Sequence, residues 1–283
     1  MSISFRRPQA RLIGNRRQAP SLKGWLHLIA IVVTLAPWTC VYAQASFAGC
    51  RDQFWHREPP VAVSTGAVDA LCSAHFATLY SEQTETPLYS AEHLTRTQIE
   101  AAIHSHRNGV FHRDARIPSA DASTLEDYWH SGYDRGHMAP SGDEPDEASQ
   151  FQSFALSNIL PQNADDNRYL WADIEFAVRE LVLAGGDDVY VVTGPIFGDA
   201  DAPALNGRVQ VPALLFKAVY DPAGRIAGVY VARNAAGHEY WSLSLDRFAA
   251  LYGIRPFPGL AGSLTRMSGA LPPPAADRGS DSW

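Results

Sequence analysis

The sequence predicts an α+β domain with a central antiparallel sheet and helices against its faces. Two patterns carry that expectation. Four short runs, Leu88–Leu94, Val189–Thr193, Ala213–Tyr220 and Ile226–Ala232, read as strands bounded by turn residues. Two other segments, Arg96–His106 and Asp166–Ala184, read as helices that pack on that sheet. The last two strands are joined across Asp221-Pro222-Ala223-Gly224, which reads as a hairpin.

The N-terminus precedes all of these. Residues 1–24 hold six basic residues and no acid, an apolar stretch follows from Trp25 to Trp38, and Val41-Tyr42-Ala43 has a small-x-small cleavage pattern. This predicts a secretory signal peptide over residues 1–43 and a mature chain beginning near Gln44, periplasmic or extracellular. A transmembrane anchor needs about 20 apolar residues; this run is shorter and is interrupted by His27 and Pro37. The mature protein is therefore expected to have no membrane association. Cleavage removes Cys40 and leaves Cys50 and Cys72. An even pair in an exported chain reads as one disulfide, contributing roughly 3 kcal/mol under the chain-entropy model. Residues 44–69 are polar and irregular, and 263–283 are rich in Pro, Ala, Asp and Ser, so both ends are expected to be loosely held around a single domain at 70–262.

The helix at Asp166–Ala184 places Leu170, Ile174, Ala177 and Leu181 on one apolar stripe. Asp165 and Asp166 supply its capping charge, and Gly185-Gly186 ends it. Asn167, Trp171 and Glu175, spaced i, i+4, i+8, share a side next to that stripe. An amide oxygen near a helix start is a hard, neutral ligand suited to Mg²⁺, although a capping asparagine and a solvated glutamate are the ordinary reading of such positions. What tips the balance lies thirty residues upstream. Asp134-Arg135-Gly136-His137 gathers a carboxylate, a guanidinium, a permissive glycine and an imidazole. Imidazole can accept a proton from water near neutral pH, guanidinium can hold phosphate oxygens in a fork, and Gly136 is expected to let the chain turn sharply.

These residues resemble the sugar-non-specific DNA/RNA endonucleases, the ββα-metal (His-Me finger) family of secreted bacterial nucleases and mitochondrial endonuclease G. The family's signature falls on Asp134–His137, and its second block on Ser157, Asn158, Pro161, Gln162, Asn167, Trp171 and Glu175. Further similar pieces follow in order at Val191–Phe197, Val211-Pro212, Phe216-Lys217 and Gly253–Pro258. The resemblance implies a ββα-metal fold, its core formed by strands preceding Asp134 and the helix near Asn167. It also implies an endonuclease acting on DNA and RNA without sequence selectivity and leaving 5′-phosphate ends. His137 is then the general base, and Asn167 is the one direct protein ligand of Mg²⁺, with Mn²⁺ as a substitute. Glu175 orients water around the ion, while Arg135 and Arg107 grip phosphate, Arg113 or Arg116 being alternatives to Arg107. Asp134 and Asn158 support the loop and the helix start. If His137 is an unperturbed base, the rate should rise as pH passes about 6.5; nearby carboxylates and the cation would shift that value in opposite directions.

The charge balance is unusual for such a partner. Setting aside the six basic residues of the leader leaves 17 basic against 30 acidic residues, a net charge of −13. A polyanion must then be held by locally concentrated arginines and a cation. Lys217, the one lysine outside the leader, is either a phosphate contact or a strand-edge lysine or salt-bridge partner. His104, His106 and His112 lack a third ligand at zinc spacing, and Trp171 reads as core packing. A phosphodiesterase of small nucleotides and a non-catalytic nucleic-acid binder are the competing classes, and homodimerisation stays open.

Overall fold

The protein is described from a computed structural model covering residues 46–185, 188–198, 202–267 and 271–274; the predicted signal peptide lies outside these residues. The first three strands, β1 (Val68–Cys72), β2 (Phe76–Ser81) and β3 (Thr86–Leu94), lead into helix α1 (Arg96–Ile103). The chain continues through α2 (Leu125–Tyr128), β4 (Asp134–His137), α3 (Glu147–Ser153) and β5 (Ile159–Gln162). A π-helical turn, Asp166–Leu170, passes directly into α4 (Trp171–Ala184). Strands β6 (Val189–Ile196), β7 (Ala204–Leu205), β8 (Val209–Gln210), β9 (Leu214–Asp221), β10 (Ile226–Arg233) and β11 (Tyr240–Leu243) follow, then α5 (Leu245–Tyr252) and α6 (Gly262–Thr265).

Seven strands form one sheet in the order β1-β2-β3-β6-β9-β10-β11, every neighbouring pair antiparallel. The expected hairpin is β9–β10, in which Asp221 accepts a hydrogen bond from the Gly224 amide. Side chains alternate across a strand, so each face has its own core. On one face α4 presents Trp171, Ile174, Val178 and Val182 to Val191, Leu215, Val219 and Tyr230. The opposite face buries Phe216, Val229 and Val231 against Phe248 of α5, with Phe47, Phe54 and Phe257 closing the layer.

The described parts of both ends are held more firmly than their composition predicts. Phe47 and Phe54 are buried in the second core, and the Cys50–Cys72 disulfide ties their segment to the end of β1. At the other end Leu264 is buried, and the Tyr230 hydroxyl donates to the Pro272 carbonyl. A few large apolar side chains in an otherwise polar stretch suffice to dock it, because each buried aromatic contributes about 2–3 kcal/mol.

The Asp134–His137 motif is also built differently from the expected turn. Asp134–His137 is itself a strand, paired antiparallel with β5 so that Asp134 faces Gln162 and His137 faces Ile159. The two β elements beside the helix are therefore β4 and β5, and not strands that precede Asp134. Gly136 serves a close approach here. A Cβ at this position would lie 2.0 Å from Gln162 Oε1 and 2.7 Å from its Cβ.

Candidate active site

On β4, Arg135 and His137 are two residues apart and so project to one side of the ribbon. They open into a cleft of about 790 Å³ that also takes in Arg107, Asn167, Glu175 and Arg179. The structure thus brings His137, Arg135, Arg107, Asn167 and Glu175 together, although Arg107 lies far from the rest in sequence.

The His137 imidazole packs against a pair of touching phenyl rings, with Phe111 at 5.3 Å and Phe154 edge-on at 4.7 Å. Its Nε2 has no hydrogen-bond partner among the described residues. Burial, with the Arg107 charge adding to it, pushes its pKa down to about 3. The ring is therefore neutral near pH 7, and the rise expected at 6.5 is displaced downward. Asp134 does not oppose this, because both of its oxygens are engaged elsewhere. Gly109 lets Phe154 approach, since a Cβ there would fall 1.9 Å from the ring.

Asp134 acts on the helix start. Its Oδ2 accepts from Asn167 Nδ2 at 3.0 Å and from Arg168 Nε at 2.8 Å, while Oδ1 accepts from Arg168 at 2.8 Å. With its nitrogen committed, the Asn167 amide leaves its oxygen as the acceptor on the cleft side. Asn158 holds the chain just beyond β4. It accepts from the Ala139 amide and the Ser90 hydroxyl, and donates to the carbonyls of Ala139 and Ser153. Neither Asp165 nor Asp166 caps the helix as expected. Asp166 is buried, accepts from Gln162 Nε2 at 2.7 Å and is raised to about 6, chiefly by burial.

Glu175 lines the cleft one turn beyond Trp171, which is buried in the core. Burial raises the Glu175 carboxyl to about 7 against the opposing pull of Lys217, Arg179 and Arg107. Behind it, Lys217 is 1% exposed and outside the cleft lining, which excludes a phosphate contact. Its ammonium donates to Thr193 Oγ1 at 2.7 Å and lies 5.6 Å from the centre of the Trp171 ring. The lysine is therefore an interior cation near the Glu92 and Glu175 carboxyls, with its hydrogen bond going to Thr193.

Among the arginines, Arg107 lies 5.3 Å over the Phe154 ring and Arg135 4.5 Å over Phe111. Arg116 is committed to Asp114 and to the Cys72 carbonyl. Sequence reasoning missed Arg168, Arg179, Tyr169 and His238, all of which line the cleft. Arg179 had a signal, because Glu175 and Arg179 are a favourable i, i+4 pair. His238 had none, arriving on the loop between β10 and β11. His112 stacks on Phe151, and no three His, Cys, Asp or Glu side chains converge as a metal cluster among the described residues.

Comparison with known proteins places these features in a wider set. The family model for DNA/RNA non-specific endonucleases matches residues 59–261. Nuclease C1 of Cunninghamella echinulata var. echinulata is 35% identical over 56% of this chain and 67% of its own length. The mitochondrial nuclease EXOG of Homo sapiens is 35% identical over 68% of this chain and 58% of its own. The zebrafish (Danio rerio) EXOG is 38% identical, but only 50% of its length is covered. The chain thus spans about half to two thirds of these relatives. A solved structure of the EndoG/EndoGI complex, whose subject is the mechanism of EndoG inhibition, superposes with a TM-score of 0.59 at 25% identity, covering 68% of this chain and 86% of that one.

Proposed function

Because the chain belongs to the DNA/RNA non-specific endonuclease family, we propose that it hydrolyses phosphodiester bonds of DNA and RNA with the help of Mg²⁺. The observation that carries this reading is the convergence in one cleft of a neutral imidazole with an unpartnered Nε2, a freed amide oxygen and the arginines Arg107 and Arg135. Asn167 would hold the cation through that oxygen, with Glu175 nearby, and a single neutral protein ligand suits an ion that keeps most of its waters. When bound, the ion supplies charge neutralisation at the phosphate and at the departing oxygen.

The protein's own groups do the rest. His137 Nε2 takes a proton from the attacking water. The water oxygen bonds to phosphorus and the bond to the 3′ oxygen breaks, leaving a 5′ phosphate. Arg107 and Arg135 hold the non-bridging oxygens and fix the phosphate against the imidazole. Contacts to phosphate rather than to base edges carry little sequence information. Export through the N-terminal leader is part of this reading and is supported by its basic-then-apolar composition and by the Cys50–Cys72 disulfide. Among the described residues no helix is long and apolar enough to cross a membrane.

Purified mature protein should nick supercoiled plasmid and degrade RNA in Mg²⁺ or Mn²⁺, and EDTA should stop both. Asn167→Ala should lose activity and its response to added metal. An unchanged metal titration in that variant would place the ion elsewhere, and EDTA-resistant cleavage by the wild type would remove the cation from the reaction.

A further inference from the structure

An exposed aromatic ring stands on the same π-helical turn as Asn167. Tyr169 is 57% exposed, lines the cleft, and its hydroxyl makes no hydrogen bond among the described residues. A large ring left open to water on the wall of a reaction cleft forgoes burial that packing elsewhere would give it. Single-turn π segments in helices occur often at functional sites, and this one carries the ring two residues from the proposed cation ligand.

The surroundings of the ring are fixed. The loop between β10 and β11 brings His238 to the same cleft, with its ring centre 6.3 Å from that of Tyr169. That loop is fastened to the turn by three contacts. The Gly237 amide donates to Asp165 Oδ2 at 2.7 Å, the Asn163 amide donates to Asn234 Oδ1 at 2.7 Å, and Asn234 Nδ2 donates to the Pro161 carbonyl. Next to the ring, Arg168 is anchored by Asp134. Trp171, the other aromatic of this segment, is buried and unable to meet a ligand.

We propose that Tyr169, flanked by His238, is a stacking platform for a nucleobase next to the phosphate undergoing cleavage. The proposal rests on the endonuclease reading above and deepens it. Every base offers a π face, so a ring of this kind adds affinity without adding sequence selectivity. It also supplies holding power to a protein whose net charge repels its substrate.

The test uses the whole mature protein and two single-stranded substrates of equal length, a DNA oligomer and an oligomer of tetrahydrofuran abasic units. The wild type should favour the base-bearing strand by roughly 5- to 100-fold in kcat/KM, mostly through KM. Tyr169→Leu should collapse that preference, and Tyr169→Phe and Tyr169→Trp should retain it. Equal cleavage of both substrates by the wild type, or an intact preference in Tyr169→Leu, overturns the platform. Cleavage of neither substrate by the wild type overturns the endonuclease reading itself.

Discussion

The two faces of the seven-stranded sheet differ in what they bury. Towards α5 the layer is apolar and ring-rich, with Phe216 and Phe248 at 4.9 Å and Val229 and Val231 beside them. Towards α4 a polar seam, Ser90, Glu92, Thr193 and Lys217, runs through an equally deep layer of valine and leucine. Among the described residues, both oxygens of Glu92 and Nε1 of Trp171 lack hydrogen-bond partners, as does His137 Nε2 in the cleft. Unsatisfied buried groups each cost about 1–3 kcal/mol; the first face carries Trp55 Nε1 of this kind, and the second gives up more stability beside the cleft. The contrast teaches that buried polar residues can locate a site when fold stability alone does not call for them.

That division can be broken most forcefully at His137. His137→Ala should lower plasmid cleavage by roughly 10²- to 10⁴-fold while shifting the thermal midpoint by only a few degrees. A collapse in Tm to match the activity would make the imidazole structural. The reciprocal change is Phe248→Ala, which should cost about 3–5 kcal/mol in denaturant unfolding and leave kcat per folded molecule near wild type.

A titration sharpens the comparison. His137 binds its proton near pH 3 when folded and near 6.5 when unfolded. Between those values the unfolded state holds more protons, so stability from this group falls as pH falls, by up to about 1.4 kcal/mol per pH unit. His137→Gln should flatten that part of the stability profile, and the wild-type kcat/KM should show no rise centred at 6.5. A sigmoid at 6.5 in kcat/KM would mean that the ring is solvated in the working enzyme.

The smallest effect belongs to Glu92→Gln. Burial, with Asp143 adding to it against the pull of Lys217, pushes this carboxyl well above its usual range, which favours the neutral form at pH 7. The amide should change stability by less than about 1 kcal/mol at that pH. A loss of several kcal/mol, as expected for a broken buried ion pair, would show that Glu92 is an anion balancing Lys217.

Much of this architecture is legible in the sequence, for reasons that differ by element. Strands β6, β9 and β10 are continuous apolar runs bounded by turn residues, and they fall where such runs predict them. Strand β4 is not legible, because Asp-Arg-Gly-His has no strand propensity of its own and is extended by pairing with β5. Strand β5 conceals itself in turn, since Pro161 argues against a ladder position. The cleft residues on α4 could be read from helical spacing, and His137 from its motif. Arg107 came only by resemblance, and Tyr169 and His238 only from the fold, because a helical turn and a loop about 70 residues apart meet through tertiary packing alone. The loosely held ends were misread for a related reason. Composition averages over a segment, whereas docking depends on single residues such as Phe47 and Phe54.

The ribbon and the sheet also differ in how far the chain must travel to make them. His137 and Ile159 pair across about 20 residues, whereas Ser90 and Thr193 meet only after about 100. Loop closure grows more costly with length, and distant pairings form late. The β4–β5 ribbon can thus assemble early, while α4 finds its seat only when β6 closes on β3. Recovery of cleavage during refolding should therefore follow the slowest long-range pairing and lag behind the ribbon that carries the histidine.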